Sequence, residues 1–113
     1  MHELSVALGI VKIAEDVIEK ENAKVVESIE LEIGTLAGIE FESLDFVWPS
    51  AVKNTVLENA EKKINIIEGE AKCGECNQVF KLNNIFDSCP ECNSYLKSIL
   101  KGKELLVKSL EIS

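Results

Sequence analysis

Apolar side chains recur with a helical period over residues 3–22. They form two neighbouring stripes, one of Leu4, Leu8, Val11, Ala14 and Ile18 and the other of Val6, Ile10, Ile13 and Val17. Two such stripes make a wide apolar arc, which predicts an amphipathic helix with one side buried against a core. We expect this helix to end near Asn22, where the apolar period stops.

Alternation of apolar and polar residues predicts three strands farther along the chain. Residues 25–33 place Ile29, Leu31 and Ile33 on one face and polar residues on the other, as a half-buried strand requires. Residues 63–68 predict a second strand, and residues 104–112 predict a third.

A second helix is expected between the first two strands. Gly34 and Gly38 bracket a turn, and an apolar period then runs from about residue 39 to Val52. Pro49 lies inside this segment and lacks an amide hydrogen, so it should kink or interrupt the helix.

All four cysteines lie between the second and third predicted strands, in two Cys-x-x-Cys pairs. Cys73 and Cys76 form the first pair, Cys89 and Cys92 the second, and 12 residues separate the pairs. Each pair places two sulfurs on one tight turn, which suits two corners of a tetrahedron around Zn²⁺ at about 2.3 Å per bond. Four thiolates would fill that tetrahedron, so we interpret the zinc as structural.

Other uses of four cysteines remain open at this stage. Two disulfides would require an oxidising compartment, a redox dithiol normally uses a single Cys-x-x-Cys, and an iron–sulfur centre also uses cysteine ligands. For the folded module itself we expect a small core made of Val79, Phe80, Leu82, Ile85 and Phe86.

The pattern as a whole predicts an α+β fold, with two helices packed on a three-stranded sheet and an inserted four-cysteine zinc-ribbon module. Residues 1–70 and 103–113 would form one discontinuous α/β domain, and residues 71–102 the zinc-binding domain. We expect the two connections, at 69–71 and 101–103, to be hinges because glycine and charged residues dominate them.

Charge and composition narrow the function. The chain of 113 residues has a formal net charge of −8, and all 12 basic residues are lysine. Arginine is the side chain that most often makes paired hydrogen bonds to phosphate and guanine, so its absence argues against nucleic-acid binding. No apolar run reaches the roughly 18 residues of a membrane span, and the start lacks the basic region of a signal peptide. A cytoplasmic location without a membrane partner is the resulting expectation.

The single histidine, His2, lies next to the chain's first amine. A lone histidine is most often an ordinary surface residue. Here, however, the Met1 amine, the His2 amide and the His2 imidazole can converge on one ion, and nitrogen donors in a plane suit Ni²⁺ or Cu²⁺. The Glu3 amide is also available because the helix only begins there, while the Glu3 carboxylate can simply stabilise the helix dipole.

These motifs resemble the HypA/HybF family of nickel metallochaperones. The resemblance covers the whole chain and is carried by Met1-His2-Glu3-Leu4-Ser5, Glu32-Ile33-Gly34, the paired cysteines and the closing Ser109-Leu110-Glu111. It implies nickel bound by Met1, His2 and Glu3, and structural zinc bound by Cys73, Cys76, Cys89 and Cys92. Glu40 lies near a position where some members carry an acidic residue close to the nickel.

The resemblance also implies partners and a role. The protein would carry Ni(II) as transient cargo and deliver it, together with a HypB-type GTPase, to the large subunit of [NiFe]-hydrogenase, and in some organisms to the urease maturation machinery. The alternative is a zinc-ribbon adaptor that binds protein or nucleic acid through a surface around Lys81, Lys97, Lys101 and Lys103. A hydrolase is disfavoured, because the only histidine is terminal and the zinc shell is full.

Overall fold

A computed structural model describes residues 3–113 as two helices and two three-stranded sheets. The elements in chain order are α1 (Glu3–Lys20), β1 (Val26–Gly34), α2 (Phe41–Val52), β2 (Glu61–Ile67), β3 (Glu70–Cys73), β4 (Val79–Lys81), β5 (Lys97–Lys101) and β6 (Leu105–Ile112). The sheets have the strand orders β2-β1-β6 and β4-β3-β5. The predicted fold class is confirmed.

Neither α1 nor α2, the helices of residues 3–113, is long and apolar enough to cross a membrane.

Contacts between residues divide the chain into two compact units. The first comprises the described residues up to Leu31 together with Ile39–Ile64 and Val107–Ser113, and the second comprises Glu32–Gly38 and Asn65–Leu106. The domain limits expected from the sequence, with the inserted module at 71–102, stay a prediction.

The core of the first unit is built from one side of each helix and one face of β1. Buried side chains come from α1 and α2, which pack together, and from the alternating positions of β1; they include Ala7, Ile10, Val11, Ala14, Leu44, Trp48, Ile29 and Leu31. Each fully buried isoleucine or leucine contributes roughly 1.5–3 kcal/mol relative to an exposed one. Because most of the stability of a helix in a protein comes from the packing of its apolar face, burial of this face is what stabilises α1 and α2.

The exposed part of α1 differs from the sequence-based expectation. The two apolar stripes predicted one wide buried face, but Leu4, Leu8 and Ile13 are 47%, 50% and 48% exposed. The core reaches only the arc centred on Ala7, Ala14 and Ile18, which leaves the edges of the apolar arc in solvent.

Pro49 does not interrupt α2, which continues through it to Val52. Proline removes one hydrogen bond and crowds the carbonyl of Asp45, four residues earlier. Trp48 anchors this part of the helix in the core, and Lys62 on β2 lies 5.0 Å from the Trp48 ring centroid and 2.8 Å from the Asp45 carboxylate. These tertiary contacts hold the helix across the missing hydrogen bond.

The second unit is organised around β3, the central strand of its sheet. Ala71 lies opposite Phe80 on β4 and Ile99 on β5, and all three face the small core. Ala71, Cys73, Phe80, Leu82 and Cys89 are buried there, and Leu36 and Ile99 pack against them.

The predicted core of the module was correct for Phe80 and Leu82 and wrong for the other three residues. Val79, Ile85 and Phe86 are 46%, 42% and 75% exposed. Val79 adjoins Phe80 on β4, and strand alternation therefore directs it to the opposite face. Leu36, from far earlier in the chain, takes part of the space instead.

The expected hinges are sites of close backbone packing. Glu70 and Ala71 are paired in β3, and a Cβ atom added to Gly34 would overlap the Gly102 carbonyl. Gly102 has φ of +116° and donates its amide to the Glu104 carboxylate at 2.7 Å, while its carbonyl accepts from the Leu36 amide at 2.7 Å. Glycine serves here because chain segments meet too closely for a side chain.

Candidate metal centre

The four cysteine side chains converge on one point. Their sulfur atoms all lie within 4.8 Å of one another, and the closest pairs are Cys73–Cys92 at 3.5 Å and Cys76–Cys89 at 3.7 Å. A tetrahedron with Zn–S bonds of about 2.3 Å has sulfur–sulfur edges of about 3.8 Å, whereas a disulfide is about 2.05 Å long. All four cysteines are free thiols, and their spacing fits a four-coordinate metal.

Two similar turns carry the sulfurs. In the first, the Asn77 amide donates to the Cys73 carbonyl at 3.2 Å, and in the second the Asn93 amide donates to the Cys89 carbonyl at 2.8 Å. Asn77 and Asn93 both have φ of +62°, a left-handed conformation that asparagine tolerates better than most residues. The repeated Cys-x-Glu-Cys-Asn sequence thus folds into a repeated geometry.

The turns differ at their second position. The Gly74 amide donates to the Leu96 carbonyl at 2.7 Å, and a Cβ atom on Gly74 would approach the Leu96 side chain to 2.7 Å. Pro90, at the matching position of the second turn, has no amide hydrogen to donate. The first turn is therefore tied to the segment before β5 in a way that the second cannot be.

Backbone amides make the four thiols chemically unequal. The amides of Cys76 and Glu75 point at the Cys73 sulfur, at 3.5 and 3.4 Å, and they lower the pKa of Cys73 to about 6. At Cys92 the Ser94 amide lowers the pKa, but the neighbouring Cys73 sulfur and partial desolvation outweigh it and raise the pKa to about 12. The Cys73 thiolate forms readily, and its negative charge opposes ionisation of the neighbouring thiols. A divalent cation would offset this repulsion and hold several thiolates together.

Cys73 and Cys89 are buried in the core of the second unit, while Cys76 and Cys92 are exposed. Two of the sulfurs are thus both core side chains and candidate ligands. The sequence identified all four, but the burial of Cys73 and Cys89 beside Leu36 depends on a segment that enters the core from far earlier in the chain.

The second predicted site lies at the start of α1. The predicted nickel ligands Met1 and His2 lie outside the described residues. Glu3 begins α1, and its carboxylate accepts a hydrogen bond at 3.1 Å from the amide of Glu40, the residue that precedes α2. The Ser43 hydroxyl donates to the Glu40 carboxylate at 3.5 Å. The structure therefore brings Glu3 and Glu40 together, which the spacing of 37 residues could not reveal.

Comparison with known proteins gives a consistent result along the whole chain. The family model described as "Hydrogenase/urease nickel incorporation, metallochaperone, hypA" matches residues 1–112. The hydrogenase maturation factor HypA of Parabacteroides distasonis is 49% identical over 112 residues, covering 99% of this chain and 97% of that protein. HypA of Francisella philomiragia is 42% identical over 110 residues, covering 97% of each.

Solved structures with a similar fold belong to the same family. The solution structure of the Ni metallochaperone HypA from Helicobacter pylori is 26% identical, with a TM-score of 0.70 over 99% of this chain and 97% of that one. The resemblance inferred from the sequence is confirmed, and so is the prediction that the protein is not an enzyme. The chain belongs to the HypA family of metallochaperones for nickel incorporation into hydrogenase and urease.

Proposed function

We propose that this chain binds Ni(II) at its amino terminus and delivers it, with a HypB-type GTPase, to the large subunit of [NiFe]-hydrogenase. The ligands are the Met1 amine, the His2 amide and imidazole nitrogens, and the Glu3 amide. The observation that carries the proposal is the family match, which extends from residue 1 to residue 112 and so includes the Met1-His2-Glu3 start. Urease maturation is a second recipient that the family description allows.

The geometry around Glu3 supports a role for its amide rather than its carboxylate. Because Glu3 opens α1, its amide has no carbonyl four residues earlier to bond with. Its carboxylate already accepts the hydrogen bond from Glu40 at the amino-terminal end of α2, where a negative charge is stabilised by the helix dipole. We therefore assign the Glu3 amide, rather than its carboxylate, to the proposed nickel site.

A structural Zn(II) held by Cys73, Cys76, Cys89 and Cys92 completes the proposal. The sulfur spacing fits a tetrahedral shell, and four ligands leave no open position for catalysis. The second unit has few buried apolar residues, so the metal would supply much of its stability.

The test is calorimetric titration with Ni²⁺, together with metal analysis, on untagged protein with its native amino terminus. We expect one tightly bound zinc and one nickel site that is lost in His2→Ala. Glu3→Gln is the matched control, because it keeps the amide and an oxygen that can accept from Glu40, and it should bind nickel like the wild type. Equal nickel affinity in wild type and His2→Ala would overturn the proposed site, and zinc without any nickel site would favour the adaptor.

A further inference from the structure

The four cysteines of the candidate metal centre are divided evenly between the core and the surface. Cys73 and Cys89 are 1% and 0% exposed, whereas Cys76 and Cys92 are open to solvent. Each Cys-x-x-Cys turn therefore begins with a buried cysteine and ends with an exposed one. A small oxidant dissolved in water meets the second cysteine of each turn first.

The closest sulfur pairs each join an exposed cysteine of one turn to a buried cysteine of the other. The Cys92 sulfur lies 3.5 Å from that of Cys73, and the Cys76 sulfur lies 3.7 Å from that of Cys89. A disulfide has about 2.05 Å between its sulfurs, so each pair needs to close by about 1.5 Å. Every exposed sulfur thus has a buried sulfur of the opposite turn within reach.

This arrangement has the chemistry of a redox pair. An accessible cysteine is oxidised by peroxide to a sulfenic acid, and a neighbouring thiolate converts the sulfenic acid to a disulfide before it is oxidised further. A cysteine that binds a metal ion is deprotonated, and the thiolate is the nucleophilic form of the side chain. The same four side chains can therefore hold a metal or, when an oxidant arrives, bond to one another.

We propose that Cys76 and Cys92 are peroxide-reactive sites, that Cys89 and Cys73 respectively resolve them, and that the two crossed disulfides release the bound metal. The inference rests on the zinc site of the proposed function. Both disulfides would link the first turn to the second, so the oxidised ribbon keeps its turns together without the metal. Reduction by a thiol restores the four thiolates and with them the metal site.

Each disulfide consumes one molecule of hydrogen peroxide. The Cys92 thiolate attacks one peroxide oxygen, the O–O bond breaks, and hydroxide leaves as the sulfur becomes a sulfenic acid. The Cys73 thiolate then attacks the Cys92 sulfur, the S–O bond breaks, and a second hydroxide leaves as the S–S bond forms. The two sulfurs lose two electrons, which reduce the peroxide. With Cys76 and Cys89 reacting likewise, four thiolates and two peroxides give two disulfides, four hydroxides and free Zn²⁺.

Disulfide mapping on the folded wild-type protein tests the pairing. Zinc-loaded protein is treated with about two equivalents of hydrogen peroxide, the remaining thiols are alkylated, and linked peptides are identified by mass spectrometry. Cleavage after Glu75, Lys81 and Glu91 places each cysteine on its own peptide. We expect the two crossed pairs to account for most of the linked peptides.

The same chain, unfolded in guanidinium and stripped of metal, is the matched control. Without the fold the shortest loops close most readily, so bridges within each turn, Cys73–Cys76 and Cys89–Cys92, should dominate after the same treatment. If the folded protein gave these within-turn bridges as well, the proposed pairing would be wrong.

Zinc release, followed with a colorimetric chelator, measures the consequence of the oxidation. We expect loss of the bound zinc at about two equivalents of peroxide, and rebinding after dithiothreitol and Zn²⁺ are added. Release as fast with the chelator alone would overturn the proposal, because oxidation would then follow metal loss.

Two other outcomes separate this inference from the proposed function. Zinc that stays bound while all four thiols remain reduced would overturn the inference and leave the zinc site standing. Protein that carries no zinc before oxidation would overturn both, whereas the nickel site is decided separately by the His2→Ala titration.

Discussion

At the scale of single residues, Asn77 holds the first cysteine turn in a left-handed conformation. We expect Asn77→Ala to destabilise the folded protein by about 1 kcal/mol. At φ of +62° the alanine Cβ is crowded by the backbone, and alanine lacks the polar side chain with which asparagine can form a local hydrogen bond. Asn77→Gly should stay close to the wild type. Zinc affinity, measured by competition with a chelator, should fall in Asn77→Ala, since the strained turn carries Cys73 and Cys76.

Asn54 provides the control, because it also has φ of +62° but belongs to the first unit. Asn54→Ala should lower the free energy of unfolding by a similar amount and leave zinc affinity unchanged. Equal loss of zinc affinity in the two variants would contradict a local role for the Asn77 turn.

At the scale of elements, Gly34 at the end of β1 and Gly102 before β6 allow the two backbones to pack in direct contact. We expect Gly34→Ala to destabilise the protein by about 3 kcal/mol or more, because the added methyl group would overlap the Gly102 backbone, which cannot move without losing its bond to Leu36. Thermal unfolding would measure this, and a variant that fails to fold agrees with it.

Gly38→Ala is the comparison, since Gly38 has φ of +78° but a Cβ atom there meets no described atom within 4 Å. It should cost only the backbone strain, about 1–2 kcal/mol. If Gly34→Ala lowered the free energy of unfolding no more than Gly38→Ala, the close packing of Gly34 on Gly102 would contribute nothing to stability.

At the scale of the whole molecule, local patterns predicted the elements, and long-range contacts decided the rest. Helical and strand periods placed α1, α2, β1, β2 and β6 within a few residues, and the repeated Cys-x-x-Cys located all four sulfurs. The pattern could not show that Leu36 would pack against the ribbon core while Phe86 stays exposed, or that the Glu3 carboxylate would accept a hydrogen bond from the Glu40 amide, because both contacts depend on residues distant in sequence. The close packing at Gly34 and Gly102 also had no local signal in the sequence, and the hinges expected at 69–71 and 101–103 stay a prediction.

The division into two units leads to a prediction about metal removal. The second unit has a core of only Ala71, Cys73, Phe80, Leu82 and Cys89, with Leu36 and Ile99 beside it, whereas α1 and α2 pack together in the first unit. Chelation of the bound metal should therefore raise amide hydrogen exchange in β3 and β5 by about a hundredfold or more, because metal binding and folding of such a small module are coupled.

Under the same conditions, amides of α1 and α2 should retain their protection within about threefold, since their buried residues belong to the other core. Exchange followed by mass spectrometry resolves the two sets of amides, and restoring Zn²⁺ should restore protection in β3 and β5. Loss of protection in the helices to the same extent as in β3 would mean that both units fold as one cooperative structure, with the four cysteines stabilising the whole chain rather than the ribbon alone.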